Sequence, residues 1–326
     1  MRTVLILNPT SGVSTVTEKH MSSEETEKVI LTALKSYGIE PELYHTTPED
    51  TGQGLAARAA AEHAELVIAA GGDGTIHAVA NGLIGTQSTL GIIPMGTMNN
   101  LAHSLNIPDT IPAACVAIAT GETRTIDVGK INGQVFLEVA GIGLEAALFP
   151  AAEEIKSPGL LSTLHGAISG LRTLLNFKPV KLRIMFDERQ RHPYNAIQVT
   201  ICNAPYYGAH LEVVPNVLMD DGLLDVVIYR NFSKLEYMRH AISISQGKRP
   251  YQPKITHRRV TALRINTDQP VELQADGVPQ GTTPAEVTVL PGVLRVRVPG
   301  LAAPELHANT YAIARSTPIQ MSSGKQ

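Results

Sequence analysis

Tryptophan is absent from the 326 residues, and aromatic side chains make up only 4% of them. Stacking platforms for single-stranded nucleic acid are therefore scarce. No excess of either charge is present: 27 Lys and Arg against 30 Asp and Glu leave a formal net charge of -3. That gives no global basic footprint, so a nucleic-acid partner is not expected. Cysteine occurs twice, at Cys115 and Cys202, far apart and each inside an apolar run. Two such residues build neither a disulfide framework nor a cysteine zinc site, and they suit a reducing, cytoplasmic setting. Long apolar runs are missing as well. No stretch of about 18 residues lacks both charge and Pro, so membrane contact is expected to be peripheral. The opening MRTVLILNPTSG meets its turn signals too early to read as a signal peptide.

What is present is an ordinary globular balance of 43% hydrophobic and 17% charged residues, in a chain long enough for two cores. Thr3–Leu7, Glu42–His45, Leu66–Ala70 and Leu90–Ile93 read as short buried strands. Between them, Glu24–Tyr37, Gly54–His63 and Thr75–Leu83 carry helical patterning. Strands and helices alternating at this spacing predict an α/β half with a parallel sheet. Beyond Gly121 the texture changes to β-branched runs: Thr125–Val128, Val135–Val139, Val180–Met185, Ala196–Cys202, Leu224–Tyr229, Val260–Asn266, Val271–Gln274 and Leu294–Val298. Asn132-Gly133 and Asp221-Gly222 punctuate them, which predicts a mainly antiparallel β-sandwich, interrupted by a helix near Leu160–Leu175.

The segment Ala69–Thr75, AAGGDGT, joins a buried strand to a helix. Glycines let the main chain approach a ligand, and the helix start offers free N–H groups to a phosphate. Asp73 among them could orient a ligand or attract Mg²⁺. A tight strand-to-helix turn capped by Asp73 or Thr75 accounts for the same residues. NPTSG after the first strand and PMGTMNN after the fourth fall on the same sheet edge, where open α/β sheets bind ligands. No Walker motif occurs.

NPTSG, GGDGT and PMGTMNNLAHSLNIP, in this order, resemble the nucleotide-site motifs of the diacylglycerol kinase catalytic family. LEVAGIGLEA (137–146), NAPYYGAHLEVVPNVLMDDGLLDVVIY (203–229) and ADGVPQGTTP (275–284) extend the likeness over about nine-tenths of the chain. GGDGT is shared with NAD kinases; the later DGLLD stretch points to lipid kinases. The resemblance implies a nucleotide-binding domain over 1–123, which 301–315 could complete, an acceptor domain over 124–300, a tail over 316–326 and an active site in the cleft between domains. It implies that Gly71, Gly72, Asp73, Gly74 and Thr75, continuing to His77, wrap the phosphates of ATP. Gly96, Thr97 and Asn99 would lie beside the nucleotide, with Thr46 or Thr47 reaching it and Asn8 and Ser11 in support.

The resemblance also implies a structural Mg²⁺ held by Leu218 (carbonyl), Asp221 (carboxylate) and Leu223 (carbonyl). A plain Asp-Gly hairpin turn explains the same residues. The family takes its catalytic base from an Asp-Gly-Glu segment. Asp276 survives here, but Val278 stands where the Glu would be, and Asn100 replaces an Asp that many members carry. The implied reaction is transfer of the γ-phosphate of ATP, with Mg²⁺, to a lipid alcohol at the inner membrane face. Lys156, Arg172, Lys178 and Lys181 would flank the Leu160–Leu175 stripe and meet headgroups, although an apolar stripe also packs on its own sheet. His77, His103, His165 and His210 lack metal-ligand spacing and read as solvated or locally satisfied. A non-catalytic nucleotide- or lipid-binding homologue and a soluble NAD kinase-like enzyme are the alternatives, and exposed edges of the second domain could pair as a homodimer.

Overall fold

The computed structural model describes residues 2–11, 22–148, 165, 168–170, 172–174, 176–188, 191–207, 211–245, 248 and 254–300. Gly12, His210, the tail beyond 300 and most of the expected Leu160–Leu175 helix lie outside them.

The first half alternates strand and helix: β1 (Thr3–Leu7), α1 (Ser23–Lys35), β2 (Glu42–His45), α2 (Gln53–Ala61), β3 (Leu66–Gly71), α3 (Asp73–Leu83), β4 (Thr89–Pro94), α4 (Asn100–Ser104) and α5 (Ile111–Thr120). The strands are parallel in the order β2-β1-β3-β4. Every residue of β1, β3 and β4 is buried, as expected when helices cover both faces of a sheet. Helix α1 starts at a capping box: Ser22 Oγ accepts from Glu25 N–H, and Glu25 returns the bond to Ser22 N–H.

The second half contains β5 (Glu122–Ile131), β6 (Gln134–Phe136), β7 (Val139–Gly143), β8 (Val180–Phe186), β9 (Arg191–Cys202), β10 (Tyr206–Tyr207), β11 (Leu211–Glu212) and β12 (Leu224–Arg230). After these come α6 (Lys234–Ser245), β13 (Ile255–Val260), β14 (Ala262–Thr267), β15 (Glu272–Ala275), β16 (Val278–Thr282) and β17 (Ala285–Val298). Long β9 is the spine, antiparallel to β7, β8 and β12. A core including Ile142, Ile184, Val199, Val226, Leu263, Leu273 and Val287 fills the space under these strands. The expected antiparallel β domain is present.

The two halves share hydrogen-bonded strands. Residues at the start of β17 pair antiparallel with β14, while Arg295 and Val296 at its end run parallel to Thr89 and Leu90 of β4. Leu294–Val298, expected inside the second domain, thus extends the parallel sheet of the first. The path runs β2-β1-β3-β4-β17-β14-β8-β9-β7-β15-β16 without interruption.

Two expected strands are each broken by a distant carboxylate. Val260–Asn266 divides at Thr261, where Asp187 Oδ1 accepts from the N–H groups of Thr261 and Ala262. Val135–Val139 divides at Leu137 and Glu138, whose amides turn to Asp276. Apolar patterning carries no sign of either acceptor.

Candidate active site

The carboxyl edge of the parallel sheet gathers the three expected loops. Asn8 follows β1, Thr46 follows β2, Gly71 ends β3 and Pro94 ends β4. Helix α3 has Gly72 at its N-cap and no side-chain cap, so neither Asp73 nor Thr75 plays the capping role that a simple turn would give it. Thr75 Oγ1 instead accepts from Asn8 Nδ2 at 3.0 Å, and Gly72 N–H reaches Ser11 Oγ at 3.3 Å. No side chain caps the first-turn amides of α3, and Gly74 among them is exposed.

Asp73 bends back across this corner. Its Oδ2 accepts from Asn99 N–H at 3.0 Å and its Oδ1 from Asn100 N–H at 2.9 Å. Asn99, in the left-handed region at φ 50°, closes its own loop: Oδ1 accepts from Gly96 N–H and Nδ2 donates to Gly96 O. The loops touch through glycine. A Cβ on Gly96 would lie 2.9 Å from Gly72 Cα, and one on Gly71 would lie 2.7 Å from Thr75 Cβ. Asp73 and Asn99 are therefore clasps between the GGDGT and MGTMNN loops, with both side chains engaged. Thr97 is exposed at the loop tip. Asn100 is buried with its side-chain Oδ1 lacking a hydrogen-bond partner.

Facing this corner is the β15–β16 turn. Asp276 and Gly277 both have positive φ, 46° and 82°, the geometry of a tight primed hairpin turn. The Asp276 carboxylate accepts from Leu137 N–H at 2.6 Å and from Glu138 and Val139 N–H at 2.9 Å each. Its Oδ2 also lies 3.6 Å from His77 Nδ1, and His77 Nε2 lies 3.0 Å from Glu138 Oε1. His77 sits one turn beyond Asp73 on the same face of α3. The imidazole thus joins the first half to two carboxylates of the second. Burial alone would lower its pKa, but Asp276, Glu138 and Asp73 outweigh that and raise it to about 9. Burial raises the Glu138 carboxyl toward neutrality, with His77 opposing the rise. Val278, next in the turn, is exposed.

The Asp220-Asp221-Gly222 turn is elsewhere. One Asp221 oxygen accepts from Leu223 N–H at 3.0 Å, and the other is paired with the Arg259 guanidinium. Leu218 is half exposed. Among the described residues no group of three or more His, Cys, Asp or Glu side chains is arranged to hold a metal. The Asp221 carboxylate is paired with Arg259, so a cation held by it and the Leu218 and Leu223 carbonyls would have to displace that guanidinium. Beside it, buried Asp127 accepts from Gly222 N–H at 2.7 Å and Gly292 N–H at 2.8 Å. Cys115 and Cys202 are both buried and free.

Sequence reasoning missed the partnership of His77 and Glu138, and missed Asp127. Glu138 lies between two apolar residues in LEVAG, where strand alternation marks it as facing one way but cannot say toward what. A His four residues after Asp73 in a helix was the available signal.

The chain is similar to known proteins along most of its length. Residues 2–131 match the family described as diacylglycerol kinase catalytic domain, and residues 138–298 match the YegS C-terminal NAD kinase beta sandwich-like domain. A diacylglycerol kinase of Bacillus subtilis (strain 168) is 30% identical over 310 residues, covering 94% of this chain and 99% of its own. One from Staphylococcus aureus (strain JH9) is 30% identical over 288 residues, covering 87% and 88%. A crystal structure of a candidate diacylglycerol kinase from Bacillus anthracis superposes with a TM-score of 0.74 at 27% identity, covering 91% of this chain and 97% of that one.

Proposed function

The chain belongs to the diacylglycerol kinase catalytic family, and from that premise we propose that it transfers the γ-phosphate of ATP to the hydroxyl of a lipid alcohol such as diacylglycerol. The observation that carries this reading is the uncapped start of α3, framed by Asn8, Ser11 and the loop that Asp73 clasps. Amide donors at a helix N-terminus suit a phosphate chain, and a clasp keeps them in place before the ligand arrives. Phosphoryl transfer asks a protein mainly for positioning and charge stabilisation. ATP enters as its Mg²⁺ complex, so the ion comes with the substrate rather than from the Asp221 turn.

In this reading the lipid hydroxyl approaches from the side of the second half, near Asp276 and His77. The reading has the protein approach a bilayer from its surface; no helix among the described residues is long and apolar enough to cross one. Helix α6 supports such a contact. Leu235, Met238 and Ile242 share an exposed face with Arg239.

The test is transfer of labelled γ-phosphate from ATP to a panel of lipid alcohols in mixed micelles with Mg²⁺. A labelled lipid supports the reading and names the acceptor. Labelled NADP from NAD would favour a soluble kinase instead. ATP binding without any transfer would favour a non-catalytic homologue, with Val278 as the reason.

A further inference from the structure

We propose that Glu138 is the proton acceptor of the transfer reaction, poised by His77, and that this pair serves in place of the acidic side chain absent at Val278. The inference rests on the kinase reading above and names the group that completes its chemistry. Asp276 is the obvious base from sequence, yet its two oxygens already accept three backbone N–H bonds. Taking up a proton would set an O–H against those amides. Its position makes it an anchor: it fixes the 137–139 backbone and lies 3.6 Å from His77.

Glu138 differs in each respect. Its side chain is 3% exposed, and Oε1 accepts from His77. No hydrogen bond recorded among the described residues takes Oε2. Burial raises the carboxyl well above the usual carboxylate range, against the opposing pull of His77, and so toward the pH at which a general base works best. The groups facing it are His77 and Asp73 from α3, Asp276 from the β15–β16 turn and Tyr207 from β10. His77, held protonated by Asp276, Glu138 and Asp73, keeps Glu138 ionised enough to act.

The step balances without a further reactant. The lipid oxygen forms a bond to the γ-phosphorus as the bond from that phosphorus to the β–γ bridging oxygen breaks, its electron pair leaving on ADP. The hydroxyl proton passes to Glu138 Oε2 and returns to water after the product departs.

The test is the pH dependence of kcat for the wild type, Glu138→Gln and His77→Gln with a lipid acceptor, alongside thermal melting and ATP binding. Because Glu138 must be ionised to accept a proton, wild-type kcat should fall as pH drops through neutrality. Glu138→Gln should lower kcat by about 10²-fold, abolish that acidic limb and leave the affinity for ATP unchanged. His77→Gln removes the cation that favours the carboxylate, so the limb should move to higher pH. Adding Val278→Glu to Glu138→Gln should restore part of the lost rate. An active Glu138→Gln enzyme with its limb intact would overturn the inference. If Glu138→Gln does not fold, a His77→Gln limb that stays put would overturn it equally. A wild type that phosphorylates no acceptor would sink the kinase reading itself. In that case a protonated-carboxyl infrared band with a near-neutral midpoint still reports whether Glu138 titrates as described.

Discussion

Asp73 and Asp276 stand on opposite walls of the site, each in an Asp-Gly pair, and each spends its carboxylate on backbone amides from a remote segment. Asp73 gathers two amides within the first half and leaves the helix start beside it uncapped. Asp276 gathers three amides within the second half and adds an imidazole from the first. One aspartate therefore holds two loops together beside an uncapped helix start, while the other anchors the His77–Glu138 pair. The same dipeptide has become a loop clasp in one half and a domain clasp in the other.

The largest effect is expected at the first clasp. Asp73→Ala should lower kcat/KM by at least about 10²-fold, because the Asn99 and Asn100 amides lose their acceptor and the two loops drift apart. Thermal unfolding should change far less than activity, since the pairing of β1, β3 and β4 does not depend on this clasp. A folded mutant with undiminished transfer would remove Asp73 from the site altogether.

At the second clasp the balance should reverse. Asp276→Asn places an NH2 group against at least one of three amide donors, so about 2–3 kcal/mol of stability should be lost in urea unfolding. If the midpoint hardly moves while transfer collapses, Asp276 is a direct participant and the division of labour argued for Glu138 fails.

How much of this was legible beforehand depends on whether the cause was local. The buried runs of β1, β3 and β4 announce a parallel sheet by composition, and Glu42–His45 emerged at the same limits as expected. The glycines of GGDGT mark the close approach of the two loops for a steric reason that sequence preserves. The split of Val135–Val139 is different, because its cause is Asp276, about 140 residues away. Helix α6 also escaped notice, since Lys234–Ser245 mixes polar and apolar residues with an apolar face left exposed. The return of Arg295 and Val296 to β4 is a matter of topology that a β-branched run cannot encode.

A subtler probe of the first clasp is Gly96→Ala. The new methyl would sit 2.8 Å from Asn99 Oδ1 and 2.9 Å from Gly72 Cα, so the loops must separate by some tenths of an ångström. An increase of about tenfold in KM for ATP, equivalent to about 1.4 kcal/mol, is expected with kcat little changed. A change in kcat alone would place Gly96 closer to the reacting atoms than to the nucleotide's binding surface.

The smallest effect concerns the third Asp-Gly pair, at 221–222, which serves as the control for the other two. Its carboxylate is met by Arg259 rather than by free amides alone, and Arg259 Nε also lies 3.8 Å from Asp225. A ligand that binds only the folded state raises stability by RT ln(1 + [L]/Kd), so a resident Mg²⁺ would show as a melting shift that grows with its concentration. Without nucleotide, millimolar Mg²⁺ should move the wild-type melting midpoint by less than about 1 °C. Arg259→Gln withdraws the guanidinium that the Asp221 and Asp225 carboxylates share. That variant should be less stable without Mg²⁺ and recover part of the loss when Mg²⁺ is added. A clear Mg²⁺ shift in the wild type would instead mean that the cation displaces Arg259, and that the Mg²⁺ site implied by the resemblance is present at this turn.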